Sequence, residues 1–337
     1  MNTYILNGVI CAGLCLPVVT AHAQDSSIDL DLYGSWRLHA NAASVDEAAD
    51  GQDDSYIGLS DAYSRVGAKA GLALGGTSLT AKLELGINSA DLEFGDPAFF
   101  DDEDLRVKSL TASGDWGTII AGKDWLPYYN NVGYPVDYFS SIFAGYSTYA
   151  YFREIQLTYI TPEYNGLKGS LSRIKRTNGG PKGWHYTANF AKDGMTLAAG
   201  MEDMDGSLAD TYGASVSLSR GDWYGAVKYE HHDTAGEIYN AFAQYKQDKL
   251  TYKAGIGLGD QYAGDSYHLG VDYQLRDNFK LFSELYREQK NYAILADGAQ
   301  SASDYLGAGG FGARQNGKVA LVGFRFDFDA SPLKFSN

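Results

Sequence analysis

The chain has 337 residues and a formal net charge of −15, with 42 acidic residues against 27 basic ones. This acidic balance argues against a nucleic-acid-binding protein, which needs a basic face, and 45 % apolar residues argue against a disordered chain. The 40 glycines and 26 tyrosines favour strands and tight turns over helices. After residue 23 no apolar run is long enough for a membrane-spanning helix, a finding that excludes helical membrane proteins but not membrane β-barrels.

The first 23 residues have the pattern of a cleaved secretory signal. An apolar stretch from Val9 to Val19 ends in a small-x-small sequence at 21–23, which is typical of a cleavage site. The segment before it lacks Lys and Arg, and a buried N-terminal helix is the alternative interpretation. Both cysteines, Cys11 and Cys15, precede the cleavage site. We therefore expect an exported mature chain, residues 24–337, that forms a single domain without disulfides or thiols.

Apolar and polar residues alternate along many segments of this mature chain. Between 28 and 40, apolar side chains occupy every second position, while Asp, Ser, Arg and His fill most positions between them. The same period recurs in 78–88, 249–258 and 266–275, and near the end in 319–328. A period of two predicts strands that have one apolar and one polar face, and helical spacing fits none of these segments.

Short and long connections take turns between the predicted strands. We count 16 strands, seven short turns such as 75–76 and 220–222, and eight longer loops. This layout predicts an all-β fold, a 16-stranded antiparallel transmembrane β-barrel. A soluble barrel would bury the polar faces in a dry core at a prohibitive cost in free energy. A water-filled barrel whose apolar face meets lipid avoids that cost.

Five motifs resemble those of the general bacterial porins of Gram-negative outer membranes. Residues 30–34 (LDLYG) are similar to the opening strand of that family, and 63–71 (YSRVGAKAG) resemble its second strand with a wall arginine. Residues 117–123 (GTIIAGK) resemble the strand that leads into the constriction loop, and 159–167 (YITPEYNGL) resemble a periplasmic turn of the family. Residues 319–328 resemble the closing strand with its aromatic end. The motifs occur in family order along the mature chain.

The resemblance implies a homotrimer of passive channels in the outer membrane, in contact with lipid and lipopolysaccharide. Such channels pass small hydrophilic solutes and ions, have no enzymatic activity and require no cofactor. The resemblance also implies that the third long loop, residues 125–151, folds inward and constricts the pore. Residues 329–337 extend past the usual end of the family; they are expected to form a short C-terminal tail, with a differently placed final strand as the alternative. The sequence offers no nucleophile motif for the alternative of an outer-membrane hydrolase.

In the family, acids on the constriction loop face basic residues on the barrel wall. The parity of the strands and the motif positions nominate these wall residues: Arg37, Arg65, Lys69, Lys82, Arg106, Lys123 and Arg153. Arg153 has the parity of outward neighbours, so its place in this set requires a bulge just before its strand. The candidates on the loop are Asp124, Asp137, Tyr134, Tyr138 and Phe143. Each wall charge has the alternative of a solvated side chain without a role in selectivity.

The 125–151 loop departs from the family pattern, and two further features require an interpretation. The 125–151 loop has few acids and many aromatic residues. These rings either pack the loop against the wall or form a stacking surface for sugars or aromatic solutes in a substrate-selective channel. A plugged structural or adhesive barrel is a further alternative.

The acidic segment 91–104 is either solvated charge or a Ca²⁺ site. The His231-His232 pair is interpreted as structural, because neighbouring strand residues face opposite sides.

Overall fold

Eighteen strand segments form one antiparallel sheet that closes on itself through its first and last members. In this computed structural model the segments are β1 (Ile28–Val45), β2 (Ser55–Asp61), β3 (Arg65–Leu74), β4 (Thr77–Asn88), β5 (Glu93–Phe94), β6 (Leu105–Gly114), β7 (Gly117–Trp125), β8 (Arg153–Ile160), β9 (Leu167–Lys175), β10 (Lys182–Lys192), β11 (Met195–Met204), β12 (Thr211–Arg220), β13 (Trp223–His232), β14 (Gly236–Gln247), β15 (Leu250–Gly259), β16 (Ser266–Arg276), β17 (Phe279–Glu288) and β18 (Gly317–Phe335).

These segments amount to sixteen barrel strands, which confirms the predicted fold. Both β2 and β3 pair with β1, so they are two stretches of one barrel strand that is interrupted at 62–64. The two-residue β5 pairs only with the end of β4 in the part of the chain that the structure describes. Each remaining segment pairs with its sequence neighbour, and β1 closes the barrel by pairing with β18.

The structure describes residues 28–45, 55–90, 93–94, 105–141, 143, 148–149, 151–175, 182–205, 210–234, 236–259, 265–288 and 317–335. The predicted signal segment lies outside these residues, as does the acidic segment 91–104 apart from 93–94. No helix among the described residues is long and apolar enough to cross a membrane.

Burial in this barrel is the reverse of burial in a soluble protein. Leu157 and Leu269, on the outer face, are 61 % and 57 % exposed, whereas the inward-facing His185 and Glu230 are fully buried. The outer face is therefore suited to lipid and the inner face to water and polar contacts. This distribution agrees with the alternation in the sequence.

The last strand differs from the expectation of a tail after Phe328. β18 continues to Phe335, and the backbone of residues 329–335 pairs with the first residues of β1. The pairing shifts between Leu30 and Leu32, as at a β-bulge. The alternation weakens at this bulge, and for that reason the sequence pattern ended the strand too early.

Candidate functional site

The segment after β7 lies against the inner wall of the barrel. It contains one π-helical turn (Tyr129–Gly133) followed by a 3-10 turn (Tyr134–Val136). Tyr128, just before these turns, is fully buried and packs against Gly200 and Gly213, two glycines on the inner face of β11 and β12. Because burial disfavours the phenolate, it raises the pKa of Tyr128, and the hydroxyl stays protonated.

Aromatic side chains fix the next part of the segment to the wall. Tyr138 stacks on Phe242 of β14 with ring centroids 5.5 Å apart, and Phe139 lies parallel to the His268 ring of β16 at 3.5 Å. Phe143 is buried. Of the two interpretations of the loop aromatics, packing against the wall describes these three rings.

Three buried glutamates on the wall hold the backbone of this segment. They lie on β11, β13 and β17, and each accepts at least one backbone N–H, an arrangement that satisfies donors with no partner in a strand or helix. The pairs are Ser140 N to Glu284 Oε1 at 2.7 Å, Tyr149 N to Glu230 Oε2 at 3.1 Å, and Tyr151 N to Glu202 Oε1 at 3.3 Å. We call residues 126–141 the loop platform; Glu284 holds it at Ser140, and Glu230 and Glu202 hold two residues that follow it.

Five arginines gather on the opposite wall. Four of them are predicted site residues, and the fifth, on β18, was not nominated from the sequence. Their guanidinium groups are close enough for their positive charges to repel. Arg37 is repelled by Arg65 and Arg325, and Arg153 is repelled by Arg106 and Arg65. We call the set the arginine cluster; it consists of Arg37, Arg65, Arg106, Arg153 and Arg325.

Two carboxylates neutralise part of the arginine cluster. Glu84 of β4 lies 2.9 Å from Arg106 Nε and 3.8 Å from Arg65 Nε, and it also accepts the Tyr33 hydroxyl at 3.1 Å. Because Glu84 is buried, these contacts fix the orientation of both guanidinium groups.

The second carboxylate belongs to Asp327 of β18. It accepts Arg325 Nε at 2.7 Å and the Ser35 hydroxyl at 2.6 Å, while the Ser35 oxygen accepts Arg37 Nε at 2.7 Å. Five cations and two anions leave the cluster with an excess of three positive charges.

Arg153 enters the cluster without the bulge that the sequence required. It is the first residue of β8 and pairs with Trp125, the last residue of β7. Its guanidinium carbon lies 4.8 Å from the Trp125 ring. A residue at the strand end is free of the alternation further along, so the charge of Arg153 lies within electrostatic range of Arg106 and Glu84 despite its parity.

The predicted lysines are spread more widely. Lys82 lies 3.9 Å from Asp124, which also accepts the Ser109 hydroxyl at 2.6 Å. Asp124 is thus a wall residue of β7 rather than a loop residue. Lys69 lies over the Tyr33 ring at 4.9 Å.

Lys123 is the remaining predicted lysine of the wall. In the register it lies opposite Ile155 of β8 and Lys108 of β6. It is only 7 % exposed, unlike the side chains of the outer face. Its place in the basic wall stays a prediction.

Two candidates on the loop platform remain at the open side of the channel. Asp137 accepts the Tyr129 hydroxyl at 2.5 Å and ends the 3-10 turn. Tyr134 is 45 % exposed and packs edgewise on Tyr129 with centroids 6.2 Å apart. Tyr134 is thus an exposed candidate of the loop platform and Asp137 a half-buried one.

The sequence reasoning missed Arg325, Glu84 and the three wall glutamates as functional residues. All five occupy strand positions that face into the barrel, so the alternation of the sequence could have nominated them as wall residues. The family resemblance implied only bases on the wall and acids on the loop. Among the described residues, no group of three His, Cys, Asp or Glu side chains is placed to hold a metal ion.

The sequence and the structure were compared with known proteins. Residues 13–293 match the model of a family described as Gram-negative porin. A chitoporin from Vibrio furnissii is 23 % identical over 286 residues, which cover 77 % of this chain and 72 % of that protein.

Solved structures share the fold. The anion-selective porin from Comamonas acidovorans is 17 % identical, with a TM-score of 0.62, over 89 % of this chain and 100 % of that chain. A loop L8 deletion mutant of OmpT, an outer membrane protein of Vibrio cholerae, is 16 % identical, with a TM-score of 0.61, over 89 % of this chain and 99 % of that chain.

Proposed function

The chain belongs to the Gram-negative porin family and is a passive diffusion channel of the outer membrane; from that premise we propose that solutes pass between the arginine cluster and the loop platform, and that this passage favours small anions. The platform is the constriction in this proposal. As a porin the protein is a channel and not an enzyme.

The observation that carries the proposal is the unequal charge on the two sides of the passage. The arginine cluster has an excess of three positive charges, after Glu84 and Asp327 are counted. The platform opposes this excess with Asp137, whose carboxylate is engaged by Tyr129. Charges that line a narrow passage decide which ions enter it.

Reversal potentials in planar bilayers under a KCl gradient test the proposal. We expect the wild-type channel to favour Cl⁻, Arg65→Ala and Arg106→Ala to shift selectivity toward K⁺, and Asp137→Asn to shift it toward Cl⁻. Arg173→Ala is the control, because Arg173 lies over Trp184 on the outer face, 5.1 Å from its ring. Three lumen variants that leave the potential at its wild-type value would refute the proposed passage.

A sugar-selective channel is the second candidate, and the name of the Vibrio furnissii chitoporin motivates it. The loop aromatics give it limited support, because Tyr128, Tyr129 and Phe143 are buried and not offered to a solute. Block of the ion current by chitooligosaccharides at millimolar concentration would favour this candidate. Currents that are indifferent to these sugars would leave the anion-favouring channel as the better description.

The proposed assembly is a homotrimer, after export with cleavage behind Ala23. Large apolar side chains cover the outer face around the two closing strands: Leu32, Trp36 and Val322 are 43 %, 46 % and 59 % exposed. Apolar surface of this kind is typical of permanent interfaces between subunits. Lipid and lipopolysaccharide would cover the rest of the apolar face.

A further inference from the structure

Two exposed aromatic rings lie along the proposed passage, Tyr63 beside the arginine cluster and Tyr134 on the loop platform. Tyr134 is 45 % exposed although its segment lies inside the barrel, so its ring faces the lumen. Tyr63, between β2 and β3, is 37 % exposed, and the guanidinium carbon of Arg106 lies 5.9 Å from its ring centroid. The Tyr63 hydroxyl is within electrostatic reach of Asp137 on the platform and of Arg153 on the wall. Tyr63 therefore stands between the two sides of the passage.

The backbone at Tyr63 is unusual for a bulky residue. Its φ angle is 65°, in the left-handed region that large side chains rarely adopt. Neighbouring contacts hold it there: Asp61 Oδ2 accepts the backbone N–H of Ser64 at 2.8 Å, and Ala62 N–H donates to the Arg37 carbonyl at 3.0 Å. A strained residue that its surroundings fix in this way is a frequent feature of ligand sites. Here the strained backbone carries the aromatic ring beside the arginines.

The cluster also has unused capacity for an anion. Arg153 Nη1 is buried and donates to no acceptor in the described part of the chain, while the guanidinium stacks on Trp125. Arg106 and Arg65 share the single carboxylate of Glu84. Guanidinium groups that stack on rings keep their in-plane N–H donors available for a carboxylate.

From these contacts we propose that the passage contains a subsite for aromatic carboxylates, of which benzoate is the simplest. The carboxylate pairs with Arg106 and Arg153, and the ring lies against Tyr63 with Tyr134 on the platform side. Offset and edge-to-face contacts between rings contribute beyond the burial of area, so the subsite separates an aromatic acid from a saturated one of equal charge. This subsite rests on the proposed passage between the arginine cluster and the loop platform.

Two probes of equal charge and similar size test the subsite. Benzoate and cyclohexanecarboxylate are added to single channels that conduct Cl⁻, and the concentration that halves the current is measured for each. We expect benzoate to act at a concentration about two- to tenfold lower. Equal concentrations for the two acids in the wild-type channel would overturn the subsite. A wild-type reversal potential in KCl that favours K⁺ would instead overturn the proposed passage, so the two failures are distinguishable.

Variants test whether the Tyr63 and Tyr134 rings cause the difference between benzoate and cyclohexanecarboxylate. Tyr63→Leu and, independently, Tyr134→Leu should bring the ratio of the two halving concentrations close to one. Tyr164→Leu is the matched control, because Tyr164 is 77 % exposed in the turn between β8 and β9, away from the cluster. If Tyr63→Leu does not fold, Tyr134→Leu decides the question alone. A ratio that survives in every folded variant of the two tyrosines overturns the proposal.

Discussion

The Tyr128 hydroxyl occupies the space that a side chain on Gly213 would need. A Cβ atom on Gly213 would overlap Tyr128 Oη and would lie 2.9 Å from Val132 Cγ1. The wall glycine of β12 and the first turn of the loop platform are therefore complementary in shape. Together with Gly200, whose added Cβ would lie 2.7 Å from Tyr128 Cδ2, Gly213 forms the hollow that seats the platform.

We predict that Gly213→Ala displaces the platform and leaves the barrel intact. The added methyl group has no free volume, and overpacking of this kind costs about 1–3 kcal/mol. Single-channel recordings should show altered conductance and weaker ion selectivity. Gly225→Ala on β13 is the matched control, because its added Cβ would meet only the Phe242 carbonyl at 3.7 Å. Identical recordings from both variants would contradict this account of the platform.

A second prediction concerns the carboxylate that two arginines share. Glu84→Gln removes one negative charge from the arginine cluster, so the reversal potential in a KCl gradient should move toward anions. The loss of charged hydrogen bonds should also lower the free energy of unfolding by about 1–3 kcal/mol. Glu163→Gln is the control, because Glu163 pairs with Lys168 at 3.5 Å on an exposed turn. A shift toward cations in Glu84→Gln would be incompatible with the role of Glu84 as a partial neutraliser.

The alternation in the sequence predicted the barrel and much of one wall. Arg65 could be assigned because it lies on a strand where period two and a family motif both point to the lumen. Arg106 has the parity of the outward Leu110, and it faces Glu84 at a shift in the register between β4 and β6 that period two does not predict. The same rule could not predict Tyr63, whose left-handed backbone interrupts a barrel strand, because no local pattern announces that conformation. The rule also could not pair Glu284 with Ser140, since the two residues are 144 positions apart and meet only when the barrel closes.

A third prediction concerns assembly. We expect the protein in mild detergent to have a mass of three chains by light scattering, and to dissociate on heating. The outer face around β1 and β18 is apolar, and contact between copies would remove Trp36 and Val322 from lipid. Trp36→Arg should then weaken the assembly more than Leu157→Arg, which changes an exposed leucine on β8, five barrel strands away from β1. A native mass of one chain would contradict the proposed trimer.

The last prediction compares two neighbouring residues that face opposite sides of β4. Leu83 is 41 % exposed on the outer face, and Lys82 faces the lumen, 3.9 Å from Asp124. Arginine at a lipid-facing site near the midplane costs about 2–4 kcal/mol, so Leu83→Arg should lower the free energy of unfolding by that amount in lipid vesicles. Lys82→Gln removes a partly exposed ion pair worth about 0–1 kcal/mol, and its refolding curve should stay close to that of the wild type. Equal losses in the two variants would show that the assigned inner and outer faces of β4 are wrong, since only a lipid-facing position makes a new charge so costly.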